Sequence, residues 1–358
     1  MTEIKIGDKI LKQDAGKDCF IIAEAGINHN GSKEMAMKLI DAAVDAGADA
    51  VKFQTYKTKN IITRNVEMAK YQKKIMKNEV SQYDMLKTYE LSYNDFSELK
   101  AYCDSKGIIF LSTPHTPDTI DFLNGIVPAF KIGSGDLTNL PFLKQIARLG
   151  KPMILGTGMA NMDEVKEAFD AITMEGNNKI VMLHCTTEYP CPPGDVNLLA
   201  MNAIKKVLGC LVGYSDHTEG IKVPLMAVRN GAALIEKHFT TDRSLEGPDH
   251  KASLEPSELK VLITKIRSGE FAVIDTDDEI LGNETKNPTK NELETAKLIR
   301  KSIIAAKKIL KGSKVTHSDI IIKRPGTGLR PKEYDNVLGR QAVRDIQIDD
   351  LINEEDLK

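Results

Sequence analysis

Short apolar runs that end abruptly in polar residues recur along the chain between Cys19 and Ile235. The segments between the runs carry apolar residues at helical spacing, so each run predicts a buried strand and each intervening segment a helix. The runs are 19–23, 50–54, 108–111, 129–132, 153–155, 180–183, 211–214 and 233–235. Eight strand–helix units in roughly 250 residues favour an α/β chain folded as a closed (β/α)8 TIM barrel over an open doubly wound sheet.

Residues that typically begin helices support this alternation of strands and helices. Ser32 is placed to cap a helix whose apolar residues follow at helical spacing. Ser92 with Asp95, and Asn161 with Glu164, have the spacing of a capping box. These signals predict helices between consecutive strands, as the barrel requires.

The two ends of the chain depart from the pattern. Residues 1–17 predict an N-terminal hairpin that belongs to a barrel domain of residues 1–268. Residues 269–295 are polar and rich in turn formers, which indicates a linker. Residues 296–358 contain short apolar runs separated by turns, so they predict a small β-rich domain.

The connection after the second strand, residues 55–90, is unusually long for a strand-to-helix loop. It contains an amphipathic segment from Val66 to Met76. Long connections at this end of a barrel are more often lids or interfaces than filler. We therefore expect this connection to cover the rim or to contact a partner.

The charge composition excludes some classes of function. The chain has 49 Lys plus Arg against 51 Asp plus Glu, so nothing electrostatic attracts it to nucleic acid or to an anionic membrane. No apolar run approaches the roughly 20 residues that span a bilayer, and the charged N-terminus lacks the apolar core of a signal peptide. The five scattered cysteines predict reduced thiols in a cytoplasmic protein, with Cys185 a buried thiol.

Two histidines follow neighbouring predicted strands directly. His217 comes just after the run 211–214, and His238 just after the run 233–235. The carboxyl ends of parallel strands meet at one rim, where neutral imidazoles can converge on a divalent metal. Taken singly, each histidine could also cap a loop or lie hydrogen-bonded in the core. Their paired placement favours a metal site, with Glu24 near enough to position a water or move a proton.

The same rim is predicted to bind an anion. Lys52 and Lys131 lie in strand positions that are usually apolar, and Ser134 and Ser215 lie at strand ends. Fixed ammonium groups, hydroxyls and backbone donors are what a phosphate or carboxylate requires. The residues alone therefore indicate a metal-assisted reaction between a phosphorylated or carboxylated substrate and an aldehyde or ketone.

Five segments in order resemble one known family. They are Ile22-Ala23-Glu24-Ala25-Gly26-Ile27-Asn28-His29-Asn30-Gly31, Val51-Lys52-Phe53-Gln54, Lys131-Ile132-Gly133-Ser134, Tyr214-Ser215-Asp216-His217-Thr218 and Glu236-Lys237-His238-Phe239-Thr240. These segments resemble the sialic acid synthase family of phosphoenolpyruvate-dependent N-acetylneuraminate synthases. The residues from about 296 onward resemble the antifreeze-like (SAF) domain that these enzymes carry after the barrel.

The resemblance implies a reaction and a cofactor. The family condenses phosphoenolpyruvate with open-chain N-acetylmannosamine, giving a nine-carbon 2-keto acid sugar and phosphate. It implies that His217 and His238 hold a divalent metal on the sugar aldehyde, with Mn²⁺ expected and Mg²⁺ or Co²⁺ possible. It also implies that Glu24 contacts the metal-bound water and the substrate.

The resemblance further implies the binding residues. Those for phosphoenolpyruvate are Lys52, Thr113, Lys131, Ser134 and Ser215, and those for the sugar are Gln54, Tyr189 and Asp249. Arg324 is expected to reach into the barrel of a partner subunit, which implies a domain-swapped homodimer.

The chain departs from the family pattern at three positions. Gly156 stands where bacterial relatives often have a serine, so one phosphate contact is expected to be lost. Thr187 and His115 stand where an asparagine and an aromatic residue are common, on the sugar side. We therefore expect an N-acetylneuraminate synthase that uses N-acetylmannosamine, with a legionaminate-type synthase that uses 2,4-diacetamido-2,4,6-trideoxymannose as the alternative. A non-catalytic sugar-binding protein on the same scaffold is the alternative from another class, which intact Glu24, Lys52, Lys131, His217 and His238 argue against.

Overall fold

The computed structural model describes residues 3–64, 66–68 and 81–358. The chain begins with an antiparallel hairpin of β1 (Glu3–Ile6) and β2 (Lys9–Lys12). The barrel strands that follow are β3 (Phe20–Gly26), β4 (Ala50–Thr55), β5 (Ile109–Pro114), β6 (Phe130–Ile132), β7 (Met153–Gly156), β8 (Ile180–His184), β9 (Leu211–Asp216) and β10 (Leu234–His238). Each barrel strand overlaps one of the predicted apolar runs.

The barrel strands form one sheet of eight, in the order β5-β4-β3-β10-β9-β8-β7-β6. Every hydrogen-bonded pair in this sheet is parallel. The two strands at the ends of this order, β5 and β6, lie beside each other. The sheet is therefore a nearly closed barrel, and the predicted (β/α)8 fold is confirmed.

Helices occupy the connections between the strands. Among the described residues, the α-helices of the barrel region are Lys33–Ala46, Thr58–Ile61, Gln82–Thr88, Tyr93–Lys106, Pro117–Asn124, Leu140–Ala147, Met162–Thr173, Ala200–Leu208, Lys222–Arg229 and Pro256–Ser268. The predicted caps form: the Ser32 hydroxyl accepts from the Met35 amide, and Ser92 with Asp95 makes a reciprocal capping box. These caps fix where the helices begin.

The barrel has two apolar layers because side chains alternate along each strand. One layer, which includes Phe53 and Ile235, lies between the strands and the surrounding helices. The other fills the barrel interior and includes Ile154 and Leu183. Ile6 of the hairpin packs into this interior layer, so the hairpin closes the amino-terminal end of the barrel. The opposite end is where a pocket can open.

The described part of the connection after β4 contributes two short helices to the rim. Thr58–Ile61 and Gln82–Thr88 enclose a small apolar cluster that contains Tyr56 and Met85. Most of the predicted amphipathic segment Val66 to Met76 lies outside the described residues. The role of this connection as a lid or interface stays a prediction.

The segment after the barrel contains local helical structure. The helices Glu270–Val273, Asp278–Leu281 and Lys290–Ile299 span the predicted linker of residues 269–295 and run past its end. The Glu292 carboxylate accepts hydrogen bonds from the backbone amides of Met159 and Thr187, which attaches the last of these helices to the barrel rim. The domain boundaries themselves stay predictions.

The C-terminal residues form a compact module with its own core. β11 (Ser302–Ala305) and β12 (Ile320–Lys323) pair antiparallel, and the short helix Tyr334–Val337 follows. Ile303, Ile309 and Ile346 are among the buried residues of this core. The small β-rich C-terminal domain expected from the sequence is confirmed.

The described residues bear on two expectations from the sequence, one about membrane-spanning segments and one about the cysteines. No helix in them is both long and apolar enough to cross a bilayer. All five cysteines are buried and free. Burial raises the pKa of the Cys185 thiol, in agreement with a buried thiol at that position.

Gly213 is required by the close packing of β9 against β10. A Cβ at this position would overlap the backbone oxygen of Leu234 and lie 2.9 Å from a methyl carbon of Leu183. We expect Gly213→Ala to lower the free energy of unfolding by about 2 kcal/mol or more, measured by urea denaturation. Gly125→Ala is the control, because its Cβ would meet only ordinary contacts. Equal stability of the two variants would contradict this packing.

Candidate active site

One pocket at the carboxyl ends of the barrel strands contains every residue that the sequence singled out for the site. These residues are Glu24, Lys52, Gln54, Thr113, Lys131, Ser134, Tyr189, Ser215, His217, His238, Asp249 and Arg324. His115, Gly156 and Thr187, where the chain departs from the family pattern, also line it. The structure therefore brings the predicted set together, while the individual roles stay predictions.

Alternation along β9 and β10 decides which side chains face the pocket. The two strands pair with Glu236 beside Ser215 and Lys237 beside Asp216. Glu236 and His238 are two residues apart and face the pocket, whereas Lys237 between them faces the surrounding helices. Strand register thus sets charged side chains on both faces of the barrel wall.

The outward-facing pair is a fully buried ion pair. Lys237 Nζ lies 2.6 Å from a carboxylate oxygen of Asp216, and both side chains are 0% exposed. Lys237 also donates to the Thr218 carbonyl, and Asp216 accepts from the Thr218 amide and hydroxyl. These bonds fix the ends of β9 and β10 relative to each other, and therefore the positions of His217 and His238.

The inward-facing charges form a compact network. Lys52 Nζ is 2.6 Å from Glu24 and 3.8 Å from Glu236, and Lys131 Nζ is 3.1 Å from Glu236. The Ser215 hydroxyl donates to Glu236 over 2.8 Å. All four charged side chains are buried, so each depends on its neighbours in place of water.

The two carboxylates of this network have opposite pKa shifts. Burial raises the pKa of Glu24, and the attraction of Lys52 offsets this only in part. Burial acts on Glu236 in the same direction, but the attraction of Lys131 and Lys52 outweighs it and lowers that pKa. Glu236 is therefore the fixed negative charge, and Glu24 is the group whose protonation changes more readily near neutral pH.

Hydroxyl groups also line the pocket, and two of them accept hydrogen bonds. Lys52 donates to the Thr113 hydroxyl over 3.1 Å, and the Ser134 hydroxyl accepts from the Gly158 amide over 3.0 Å. A Cβ on Gly156 would lie 2.8 Å from Ser134 Oγ. A serine at position 156 would therefore require Ser134 to move, which gives a steric reason for the glycine there.

The two histidines lie side by side beneath Tyr189. Their ring centroids are 5.5 Å apart. His217 Nδ1 donates to the Thr186 carbonyl over 2.6 Å, which leaves Nε2 without a proton and facing the Tyr189 hydroxyl at 3.0 Å. Burial lowers the pKa of both imidazoles, and in His238 the neighbouring His217 adds to the effect. Both rings are therefore neutral.

These residues fit an open metal site. A histidine that binds a metal is neutral, and its second nitrogen is almost always held by a hydrogen bond, as His217 Nδ1 is by the Thr186 carbonyl. His238 Nδ1 is buried without a hydrogen bond and lies 3.9 Å from Asp249. Within the described residues no group of three or more His, Cys, Asp and Glu is arranged to hold an ion. The pair therefore suits an ion completed by water or substrate, and a closed structural zinc site would need further ligands.

The outer part of the pocket is formed with the C-terminal module. Arg324 pairs with Ile62 in a short β-bridge, and its backbone amide donates to the Ile61 carbonyl of the same chain. Its guanidinium donates to Gln82 over 3.4 Å. Arg324 thus reaches the barrel of its own chain in this structure. The expected contact with a partner subunit stays a prediction.

Sequence reasoning missed Glu236 and Asp136, which line the pocket, and Lys286, a buried charge outside its lining. Glu236 lies two residues before His238, and the alternation that linked Lys52 with Gln54 would have placed it in the pocket. Lys286 is 3% exposed, and burial lowers its pKa against the attraction of Glu292. Nothing local marks Lys286, because it lies in the polar segment after the barrel.

The buried ion pair beneath the histidines can be tested by stability. We expect Lys237→Met to lower the free energy of unfolding by roughly 3–5 kcal/mol, because it leaves the Asp216 carboxylate buried and unpaired. Urea denaturation measures this loss. The double variant Asp216→Asn with Lys237→Met should be less destabilised than the single variant. A double variant that is less stable than Lys237→Met would contradict the assignment.

Comparison with known proteins gives two family matches. The model of the NeuB family matches residues 39–277, and that of the SAF domain matches residues 300–358. The first match covers the barrel strands from β4 to β10, and the second covers the C-terminal module. Together they account for both parts of the fold.

Individual relatives are similar over nearly the whole chain. The N,N'-diacetyllegionaminic acid synthase of Campylobacter jejuni is 45% identical over 94% of this chain and 100% of its own length. That of Legionella pneumophila is 45% identical over 92% of each chain. The crystal structure of the spore coat polysaccharide biosynthesis protein SpsE of Bacillus subtilis has a TM-score of 0.85 and 36% identity, and covers 100% of this chain and 99% of that one.

Proposed function

The chain belongs to the NeuB family of sugar acid synthases, and on that premise we propose that it condenses phosphoenolpyruvate with 2,4-diacetamido-2,4,6-trideoxymannose. One observation carries the proposal: two buried lysines and two neutral histidines line the same pocket. The lysines supply an anion site, and the histidines supply ligands for a Lewis acid beside it. A non-catalytic sugar-binding protein needs neither feature.

The choice of sugar rests on the relatives. Both legionaminic acid synthases are 45% identical to this chain over almost their whole length. They favour the diacetamido sugar over N-acetylmannosamine, which the sequence resemblance put first. The reaction type is the same for either sugar.

The phosphoenolpyruvate site is proposed at the lysine network. Lys52 and Lys131 attract the phosphate and the carboxylate, while the hydroxyls of Thr113, Ser134 and Ser215 donate hydrogen bonds. Because burial excludes water from these groups, their attraction for an anion is stronger than at a surface. Lys52 and Lys131 attract Glu236 in the free protein, and a bound anion would compete with Glu236 for this attraction.

The sugar is proposed to lie between the histidines and the outer rim. His217 and His238 would hold Mn²⁺, with Mg²⁺ or Co²⁺ as possible replacements, and the ion would polarise the sugar aldehyde. Gln54, Tyr189, Asp249 and Arg324 hold the hydroxyl and acetamido groups. Burial raises the pKa of Asp249 to about 6, so this carboxyl readily exchanges a proton near neutral pH.

The reaction then needs three changes in bonding. C3 of phosphoenolpyruvate attacks the aldehyde carbon, forming the new carbon–carbon bond, and the aldehyde oxygen takes up a proton. Water adds to the cationic C2 and loses a proton, and we propose Glu24 as the acceptor of that proton. The C2–O bond to phosphate breaks last, while the C2 hydroxyl gives its proton to the departing phosphate and becomes the carbonyl of the 2-keto acid.

A domain-swapped homodimer is retained as a proposal because the resemblance implies it. Arg324 can complete a pocket only if the C-terminal module contacts a barrel, whether its own or a partner's. Sedimentation velocity of the full chain distinguishes a monomer from a dimer.

The direct test is release of phosphate from phosphoenolpyruvate with Mn²⁺ and each of the two sugars. We expect release that depends on sugar and metal, with a higher kcat/KM for the diacetamido sugar. A preference for N-acetylmannosamine would instead identify the protein as an N-acetylneuraminate synthase. Tight binding of sugar without phosphate release would support the binding protein.

Glu236 is expected to oppose binding of phosphoenolpyruvate. Glu236→Gln removes a negative charge 3.1 Å from Lys131 and keeps the shape of the side chain. We expect the Kd for phosphoenolpyruvate, measured by calorimetry, to fall about tenfold, or ~1.4 kcal/mol. Asp335→Asn is the control, since it removes an equal charge from an exposed position. Weaker binding in Glu236→Gln would mean that Glu236 chiefly holds the lysines in place.

A further inference from the structure

A buried chain of three polar residues connects the C-terminal module to the outer pocket. Lys301 Nζ lies 2.7 Å from a carboxylate oxygen of Asp136 and donates to the backbone carbonyl of His115. The other carboxylate oxygen of Asp136 faces His115 Nδ1 at 3.8 Å. The three residues come from the start of the module and from the loops after β6 and β5, so only the folded chain assembles them.

Burying these three polar residues costs free energy, so their arrangement calls for a functional explanation. The side chains of Lys301 and Asp136 are 2% and 3% exposed, and burying an ion pair seldom stabilises a protein over apolar packing. The attraction of Lys301 keeps the pKa of Asp136 well below its ordinary range in spite of burial. Asp136 is therefore a fixed negative charge directly behind the His115 ring.

His115 itself faces the substrate side. His115 and Asp136 line the pocket, whereas Lys301 does not. Burial lowers the pKa of His115 to about 4; Asp136 opposes the shift, and Lys301 and Arg324 add to it. The imidazole is therefore neutral and offers one hydrogen-bond donor and one acceptor. Its Nδ1 is buried without a hydrogen bond, which leaves that edge dependent on Asp136 for its orientation.

The surroundings of His115 suit a group that is polar at one end and apolar at the other. The Tyr56 ring meets the imidazole edge-on, with centroids 6.0 Å apart. Tyr56 belongs to an apolar cluster with Ile61 and Met85, and both of these also line the pocket. An acetamido group has an N–H and a carbonyl to pair with an imidazole, and a methyl group that can pack on an apolar wall.

We propose that His115 determines specificity for the acceptor sugar by binding its second acetamido group, and that Asp136 and Lys301 are positioning residues that hold the imidazole for this contact. The inference rests on the proposed function and deepens it. It also gives the C-terminal module a role in sugar choice, because Lys301 acts on the pocket without touching the substrate.

The first experiment measures kcat and KM for both sugars and for phosphoenolpyruvate. For His115→Phe we expect KM for the diacetamido sugar to rise about tenfold, while KM for N-acetylmannosamine and for phosphoenolpyruvate stay within about twofold. His115→Gln should recover part of the loss, because its amide also donates and accepts. Equal changes for both sugars would overturn the proposal.

The second experiment separates positioning from general support. Lys301→Met should shift the sugar preference in the same direction as His115→Phe, and Lys301→Arg should restore it. Arg300→Met is the matched control. It removes the ion pair that the neighbouring residue makes with Glu164 and leaves the contacts of Lys301 with Asp136 and His115 in place. If Arg300→Met changes the preference as much as Lys301→Met does, the positioning role is wrong.

A spectroscopic readout tests the contact without turnover. The charged groups around His115 are Asp136, Lys301 and Arg324. Lys301→Met removes a positive charge that disfavours protonation of His115, while the negative charge of Asp136 remains. The pKa of His115 should therefore rise, and NMR of the imidazole nitrogens measures it. An unchanged pKa in this variant would overturn the role of Lys301.

The same signals separate failure of this inference from failure of the proposed function. If the wild-type protein releases phosphate with neither sugar, the proposed function fails. Titration of the diacetamido sugar into the protein then decides the inference: a shift of the His115 signals supports it, and unchanged signals overturn it.

Discussion

The buried ion pair between Asp216 and Lys237 is the interaction on which the candidate site depends. Both side chains are 0% exposed between the barrel and the helices, and the residue that follows each of them is a histidine, His217 after Asp216 and His238 after Lys237. Each charge is tolerable in the protein interior only because the other is 2.6 Å away. The geometry that satisfies this pair therefore also sets the spacing of the two imidazoles.

The network that faces the pocket, formed by Glu24, Lys52, Lys131 and Glu236, also pairs each buried charge with an opposite one. Lys52 and Lys131 need carboxylates beside them in the free protein, since a buried ammonium without a partner is strongly destabilised. Glu24 and Glu236 meet that need unequally, because Glu236 has two lysine neighbours and Glu24 mainly one. The result is one stable anion and one carboxyl that can exchange protons, beside the two lysines for which we propose binding of phosphoenolpyruvate.

The end of the chain completes the wall of the pocket. Glu292, Lys301 and Arg324 attach to three different parts of the barrel rim. These attachments use backbone amides, a buried carboxylate and a β-bridge, so loosening the module would leave several buried polar groups without partners. The C-terminal module therefore forms part of the candidate active site, and the helical connection before it links it to the barrel.

Much of this molecule could be predicted from local sequence. The eight strands followed from apolar runs, the helix starts from Ser32, Ser92 and Asn161, and part of the candidate site from polar residues at strand ends, because periodicity and capping involve residues close in the chain. The family resemblance, and not the strand pattern, supplied Tyr189, Asp249 and Arg324. Glu236 was within reach of the same alternation rule and was missed. The partners of buried charges were out of reach: that Lys237 meets Asp216, and that Lys301 meets Asp136, depends on strand register and on how the chain end docks. The sequence by itself determined which side chains stand at the rim; only the tertiary structure decided which of them neutralise one another, since that requires contacts between residues far apart in the chain.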